Sequence, residues 1–181
     1  MRRITVSFLT GASAVLALLV APAGASADPQ DVSVATDQGR ALAVNGTYPL
    51  RNDNSGKCLD VYEWSTANGG DLVQWDCHYG NNQLWTFIRH DDGSYSLKSA
   101  HSGKCADVYN WSTANGGKIV QWDCHGGNNQ RWAQSWNNDT NSLRYISKHS
   151  GKALEVYDWS QQNGGKIVQW DYHGGANQRW R

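Results

Sequence analysis

Three carboxylates recur in this 181-residue chain at one register: Asp60, Asp107 and Glu155. Sixteen residues after each stands another, Asp76, Asp123 and Asp171. Two carboxyl groups in different environments are the apparatus of glycoside hydrolysis, one serving as acid and the other as base or nucleophile. Here the pair is copied three times. Threefold copying of a complete catalytic site is improbable, whereas threefold copying of a binding site is ordinary multivalency. No nucleophile elbow, zinc-protease helix or phosphate loop accompanies the carboxylates. The expectation is a protein that is not an enzyme. His78, His125 and His173 also recur, which raises the question of metal ligation. Threefold symmetry sets equivalent outer-loop positions well apart, so contact with a ligand or loop packing is expected of these histidines, with no metal site and no cofactor.

The carboxylates belong to a longer repeated phrase. Gly56-Lys57-Cys58-Leu59-Asp60-Val61-Tyr62 returns at Gly103–Tyr109 and again at Gly151–Tyr157, at offsets of 47 and then 48 residues. Trp75, Trp122 and Trp170 keep the same spacing, as do Trp85, Trp132 and Trp180 and the set Trp64, Trp111 and Trp159. Such a period marks units that bury their apolar faces only against one another. Trp136 has no partner in the other repeats. The repeats run from about 48 to 94, 95 to 141 and 142 to 181, preceded by a polar arm or linker over residues 28–47.

All four cysteines lie in the first two repeats. Cys58 and Cys77 are 19 residues apart, as are Cys105 and Cys124, and the third repeat has Ala153 and Tyr172 at both places. Four cysteines allow three pairings. Joint presence or joint absence within a unit selects 58–77 with 105–124, each bridge contributing on the order of 3 kcal/mol. A zinc site made of these thiols is disfavoured, because the spacing is too long for a Cys-x-x-Cys knuckle.

Disulfides imply export, and residues 1–27 read as a secretory signal. Arg2 and Arg3 precede an apolar run from Ala14 to Ala21, and Ala25-Ser26-Ala27 meets the small-residue cleavage rule, so the mature chain is expected to be secreted and to begin at Asp28. A retained anchor fits less well, since Thr10, Gly11 and Ser13 interrupt the stretch; the residues after Arg3 do not strengthen a twin-arginine signal. Cleavage would leave 14 basic against 16 acidic residues. With no run of one sign, neither nucleic acid nor a membrane is an expected partner. Asn45-Gly46-Thr47, Asn110-Trp111-Ser112 and Asn138-Asp139-Thr140 fit the glycosylation pattern, but Glu63 and Asp158 replace Asn110 in the other repeats, so that sequon reads as incidental.

Short β-type runs separated by Gly, Asn, Ser and Asp position these residues. In the second repeat they are Tyr95–Ser99, Lys104–Tyr109, Ile119–Cys124 and Gln130–Ser135. Asn68-Gly69, Asn115-Gly116 and Asn163-Gly164 are hairpin-turn signals in which both residues accept positive φ. The mature chain shows no convincing helical period. Four strands in each of three units give an all-β chain of twelve short strands, and a closed pseudo-threefold barrel removes the edges that one unit would expose.

Gln-x-Trp occurs at Gln83-Leu84-Trp85, Gln130-Arg131-Trp132 and Gln178-Arg179-Trp180. Repeated with the Cys-x-Asp-Val element, it makes residues 48–181 resemble the ricin B-type β-trefoil lectins, similar to carbohydrate-binding module family 13 of secreted glycan-degrading enzymes. The resemblance implies that Trp85, Trp132 and Trp180 pack inside the barrel beside Leu59, Val61, Val108, Leu154 and Val156. It implies that Trp75, Trp122 and Trp170 are platforms for a sugar. An indole covers the C–H face of a pyranose, and polar neighbours must replace the water lost by its hydroxyls. Asp60 with Asn82, Asp107 with Asn129 and Glu155 with Asn177 would supply acceptors and donors, with Gln83, Gln130 and Gln178 bracing each site.

There are departures from the family pattern. The family often has Gln two residues before the platform; here Val73, Val120 and Val168 stand there, and Gln74, Gln121 and Gln169 come one later. Alternation in a strand would turn these glutamines away from a sugar. Glu155 carries an extra methylene and the third repeat lacks a bridge, so the first two repeats rank above it. Trp64, Trp111 and Trp159 either extend the platform, if exposed, or pack under the loop, if buried. The resemblance implies multivalent binding of glycans or polysaccharides of galactose, xylose or arabinose type, alongside a separately encoded secreted glycan-degrading enzyme. A protein-binding trefoil, either a hydrolase inhibitor or a targeting subunit, is the alternative.

Overall fold

The computed structural model describes residues 46–181, and of the preceding segment only a two-residue ladder between β1 (Thr36–Asp37) and β2 (Arg40–Ala41). The expected signal at 1–27 lies outside the described residues, as does most of the polar arm. From Thr47 onward the strands are β3 (Thr47–Pro49), β4 (Cys58–Val61), β5 (Gly70–Trp75), β6 (Leu84–Arg89), β7 (Tyr95–Ser99), β8 (Cys105–Val108), β9 (Gly117–Trp122), β10 (Trp132–Asn137), β11 (Ser142–Ser147), β12 (Ala153–Val156) and β13 (Gly165–Trp170). The only helical pieces among the described residues are single 3-10 turns of three residues.

The pairing closes a ring. β3 pairs with β6, β6 with β7, β7 with β10 and β10 with β11, all antiparallel. Trp180 then bridges both Leu143 in β11 and Asn52 just beyond β3. The fourth strand expected of the third repeat is thus reduced to a bridge, giving eleven strands and a bridge in place of twelve. Reciprocal bonds between Arg51 and Arg181 at 2.7 and 2.8 Å seal the junction. The hairpins β4–β5, β8–β9 and β12–β13 cap one end, joined in a triangle through β5–β9, β9–β13 and β13–β5. This is a β-trefoil.

The core follows from the pleat. In β4, Leu59 and Val61 point into the barrel and are fully buried, as are Val108, Leu154 and Val156. Trp85, Trp132 and Trp180 fill the interior with no exposed surface. Each indole N–H donates to a backbone carbonyl two strands earlier, Leu59, Ala106 or Leu154, at 3.1 to 3.3 Å. Both disulfides form as the spacing predicts, Cys58–Cys77 and Cys105–Cys124. In the third repeat Tyr172 instead lies under the Arg144 guanidinium, 4.6 Å from the ring centre.

The hairpin turns differ from expectation. Only the glycine of each Asn-Gly pair takes positive φ, 82° at Gly69 and 80° at Gly116 and Gly164. Each turn is closed by a backbone bond, Gly70 N–H to the Ala67 carbonyl at 3.3 Å and its copies at 3.2 Å, and in such a turn only the third residue, the glycine, takes positive φ; the asparagine side chain reaches the neighbouring repeat. Asn68 donates to Asp123 Oδ2 at 2.7 Å and accepts the Asp123 N–H at 2.9 Å. Asn115 grips Asp171 and Asn163 grips Asp76 in the same way. Each repeat therefore holds the next through its turn.

Candidate carbohydrate-binding clefts

The register places the candidate residues on one face. Cys58 faces Trp75 across the β4–β5 ladder, and Asp60 faces Val73 two positions along. Period two then puts Asp60 and Trp75 together on the face opposite Leu59, Val61 and Leu72. The same register recurs between β8 and β9 and between β12 and β13. Trp75, Trp122 and Trp170 are each half-buried, with one part of the indole open.

A cleft of about 280 Å³ is lined by Asp60, Tyr62, Glu63, Trp64, Trp75, His78 and Asn82. Its counterpart in the second repeat, about 190 Å³, is lined by Asp107, Tyr109, Asn110, Trp111, Trp122, His125 and Asn129. The structure thus brings carboxylate, platform indole and asparagine of each of these repeats into one concavity. The bracing glutamines lie beneath it, fully buried.

Donors converge on one carboxylate oxygen. Asp60 Oδ2 accepts from Asn82 at 3.0 Å and Gln83 at 2.8 Å, with His78 Nε2 at 3.5 Å. Gln83 uses both ends of its amide: it also donates to the Asp76 carbonyl and accepts the N–H groups of His78 and Tyr79. His78 Nδ1 accepts from Gly80 N–H at 3.2 Å. That bond leaves the proton of a neutral ring on Nε2, aimed at Asp60. Asp107 is held in the same way by Asn129, Gln130 and His125. Among the described residues no hydrogen bond reaches Oδ1 of either aspartate. The buried Asn82, Asn129 and Asn177 amide oxygens have no partner, a cost incurred three times to hold the Nδ2 groups in place.

Burial raises the Asp60 and Asp107 pKa values above the ordinary range, and the bonds from glutamine, histidine and asparagine only partly counter it. Glu155 is raised for the same reason. In the third repeat Gln178 donates to Glu155 at 2.6 Å and His173 lies at 3.2 Å, while Asn177 donates to the Val156 carbonyl at 3.1 Å. The longer side chain has moved the carboxylate toward glutamine and histidine.

Asp76, Asp123 and Asp171 do not share these environments. They are exposed and paired with Lys57, Lys104 and Lys152. Gln74, Gln121 and Gln169 face away from the clefts, as alternation predicts, and have a different task. Gln74 Nε2 donates to the carbonyls of Ser160 and Gln162 at 2.8 and 3.0 Å, while its Oε1 accepts from Ser55 at 2.6 Å. Gln121 does the same for Ser65 and Ala67, and Gln169 for Ser112 and Ala114. Sequence reasoning passed over Tyr62, Tyr109 and Tyr157, whose rings lie about 6 Å from the platform indoles. Their threefold recurrence at the end of the copied phrase was the available signal.

The chain matches the ricin-type beta-trefoil lectin domain over residues 46–180. A designed threefold-symmetric protein, ThreeFoil, is 39% identical with a TM-score of 0.72, over 75% of this chain and 96% of that one. The exo-β-1,3-galactanase 1,3Gal43A from Clostridium thermocellum is 34% identical with a TM-score of 0.73; the match covers 79% of this chain but 31% of the galactanase. Serine protease 1 of Rarobacter faecitabidus is 43% identical over 42 residues, which is 23% of this chain and 8% of the protease. With the closed barrel, the three capping hairpins and the family match spanning all of them, the chain belongs to the ricin-type β-trefoil lectin family.

Proposed function

We propose that this protein is a secreted, non-catalytic, multivalent carbohydrate-binding protein. Each site consists of an indole shelf, Trp75, Trp122 or Trp170, beside a carboxylate, Asp60, Asp107 or Glu155, and an amide, Asn82, Asn129 or Asn177. The observation that carries the reading is the one-sided holding of the aspartates. The protein's donors occupy Oδ2, so Oδ1 is left to accept from sugar hydroxyls while the indole covers the C–H face. Two disulfides support an oxidising, extracellular destination. The likeness to part of an exo-β-1,3-galactanase supports galactose-type polymers first, with xylose and arabinose polymers next, and a secreted glycan-degrading enzyme as a functional partner. The three exposed acids are each tied to a lysine, and Asp107 is the only acid lining the second cleft, so the acid pair copied along the sequence does not meet in a cleft, which argues against a two-carboxyl hydrolase. The first two repeats rank above the third, where Glu155 is displaced toward His173.

One shallow site of this kind binds at about millimolar strength, roughly −4 kcal/mol. Two or three on one polysaccharide gain about 10²- to 10⁴-fold where geometry allows. Replacing Trp75 and Trp122 together by Ala is expected to abolish retention on a polysaccharide column while the circular dichroism spectrum keeps its β signature. Full retention by that folded variant would reject the site assignment, and a glycan array with no signal would reject the carbohydrate reading.

A further inference from the structure

On the reading that each cleft holds a sugar against its inner indole, we propose a second sugar-binding station in the same cleft. It lies on the outer indole, Trp64, Trp111 or Trp159, so that the ligand is a glycan chain of two or more linked residues.

The outer indoles are open. Trp64, Trp111 and Trp159 are 49, 51 and 50% exposed, and none belongs to the core. An indole serving as packing under its loop would be covered. Trp64 and Trp111 line the same concavities as the inner indoles. Their backbone is strained: Trp64, Trp111 and Trp159 have φ of 55, 52 and 52°, and the residue before each is left-handed too. Two successive non-glycine residues in that region carry a conformational cost. Keeping it in all three repeats at an exposed tryptophan ties the strain to where the ring is displayed.

The ring is also held still. His101, from the following repeat, donates to the Trp64 carbonyl at 2.8 Å and stands edge-on at 5.1 Å, while His78 lies nearly parallel at 6.0 Å. His149 and His125 treat Trp111 alike. A surface fixed in advance loses little entropy when a ligand settles on it. Beside each outer indole the cleft wall offers a polar group, Glu63 in the first repeat and Asn110 in the second. Aromatic face plus hydrogen-bonding neighbour repeats the chemistry of the inner station. In the third repeat Asn54 takes the place of the histidine, donating to the Trp159 carbonyl at 3.1 Å, and that outer station is expected to be the least ordered.

The experiment compares monosaccharides with linear tetrasaccharides of galactose, xylose and arabinose, titrated into the wild type and into the Trp64→Ala, Trp111→Ala, Trp159→Ala triple variant. Monosaccharide affinity is expected to stay within about twofold, and tetrasaccharide affinity to fall about three- to tenfold. Phenylalanine at the three positions should restore part of the loss. Because alanine could disturb the strained turns, the unaltered protein with ¹⁵N-labelled indoles supplies a second measurement. Tetrasaccharide should shift inner and outer indole N–H signals, and monosaccharide only the inner set. Equal losses for both ligands, no loss for either, or outer signals indifferent to tetrasaccharide would each overturn the second station while leaving the inner one intact. A wild type that binds none of the sugars would instead overturn the carbohydrate reading, and this inference with it.

Discussion

At the scale of single residues, the proposed sites depend on a buried carboxylate held by uncharged amides and one imidazole. Burial puts the Asp60 and Asp107 pKa values above the ordinary range, and only the ionised form accepts from two sugar hydroxyls. Affinity is therefore expected to fall on acidification, beginning above the pH at which a free aspartate titrates. The contribution of these groups to stability runs the other way. A folded-state pKa above the unfolded one gives stability that is fully present below the unfolded value and lost as pH rises through the folded value. Asp76, Asp123 and Asp171 are lowered by bonds from Lys57, Lys104 and Lys152 and from the turn asparagines. Their contribution is present above the ordinary value and lost only as pH falls through their own depressed values. The two windows do not coincide, so ligand should leave a protein that is still folded. Column retention and near-ultraviolet circular dichroism followed down the same pH series test this; simultaneous loss of both signals would contradict it.

At the scale of elements, each hairpin is completed by a neighbour. Gln121, buried in β9, satisfies carbonyls of Ser65 and Ala67 in the first repeat's loop, and its Oε1 accepts from Ser102 at 2.6 Å. The approach is so close that a Cβ on Gly70 would meet the Gln121 amide nitrogen at 2.8 Å. Gln121→Ala is expected to cost about 2–3 kcal/mol in urea denaturation, because the loop carbonyls lose their partners in a part-buried setting. It should also weaken sugar binding in the first cleft, whose Trp64 lies next to Ser65, more than in the second cleft, whose Asp107 and Trp122 share its own hairpin. Equal weakening of both clefts would show that the staple acts on stability alone. Alternation within a strand was enough to say that Gln121 turns from the cleft. It did not say what the glutamine meets, since Ser65 lies 56 residues away. The Asn-Gly turns show the same limit. Local preference allows positive φ at both residues, yet the turn formed takes it only at Gly69, and the partner of the Asn68 side chain, Asp123, lies 55 residues away.

At the scale of the whole molecule, two clefts and a third copy of their residues around one closed ring make the protein a candidate for avidity. Removing a single platform, Trp122→Ala, is expected to lower the number of monosaccharide sites by one with little change at the others. The same change should weaken binding to a long polysaccharide by about tenfold or more, since linked sites multiply. Calorimetric stoichiometry and retention on immobilised polysaccharide separate the two effects, and unchanged polysaccharide affinity would mean that the clefts do not share one chain. The ring also predicts a single cooperative unfolding transition: Trp180 exchanges backbone bonds with Leu143, and its neighbours Arg179 and Arg181 bond to Asp53 and Arg51 in the first repeat, so no repeat can leave without opening its neighbours.

The sequence by itself determined the threefold repeat and the disulfide pairing, which follow from periodicity and from residues that are kept or lost together. The inward tryptophans and the grouping of Asp60 with Trp75 came from the family resemblance that the repeated motifs carry. Tertiary structure decided what periodicity cannot encode. It supplied the partners of Gln74, which alternation had only turned from the cleft: the loop carbonyls of Ser160 and Gln162 in the third repeat. It left Trp64 in the open, and it gave the carbonyl of each outer tryptophan a histidine or asparagine from another repeat. These outcomes come from ring closure, which sets side chains tens of residues apart within hydrogen-bond distance, and no spacing along the chain measures that distance.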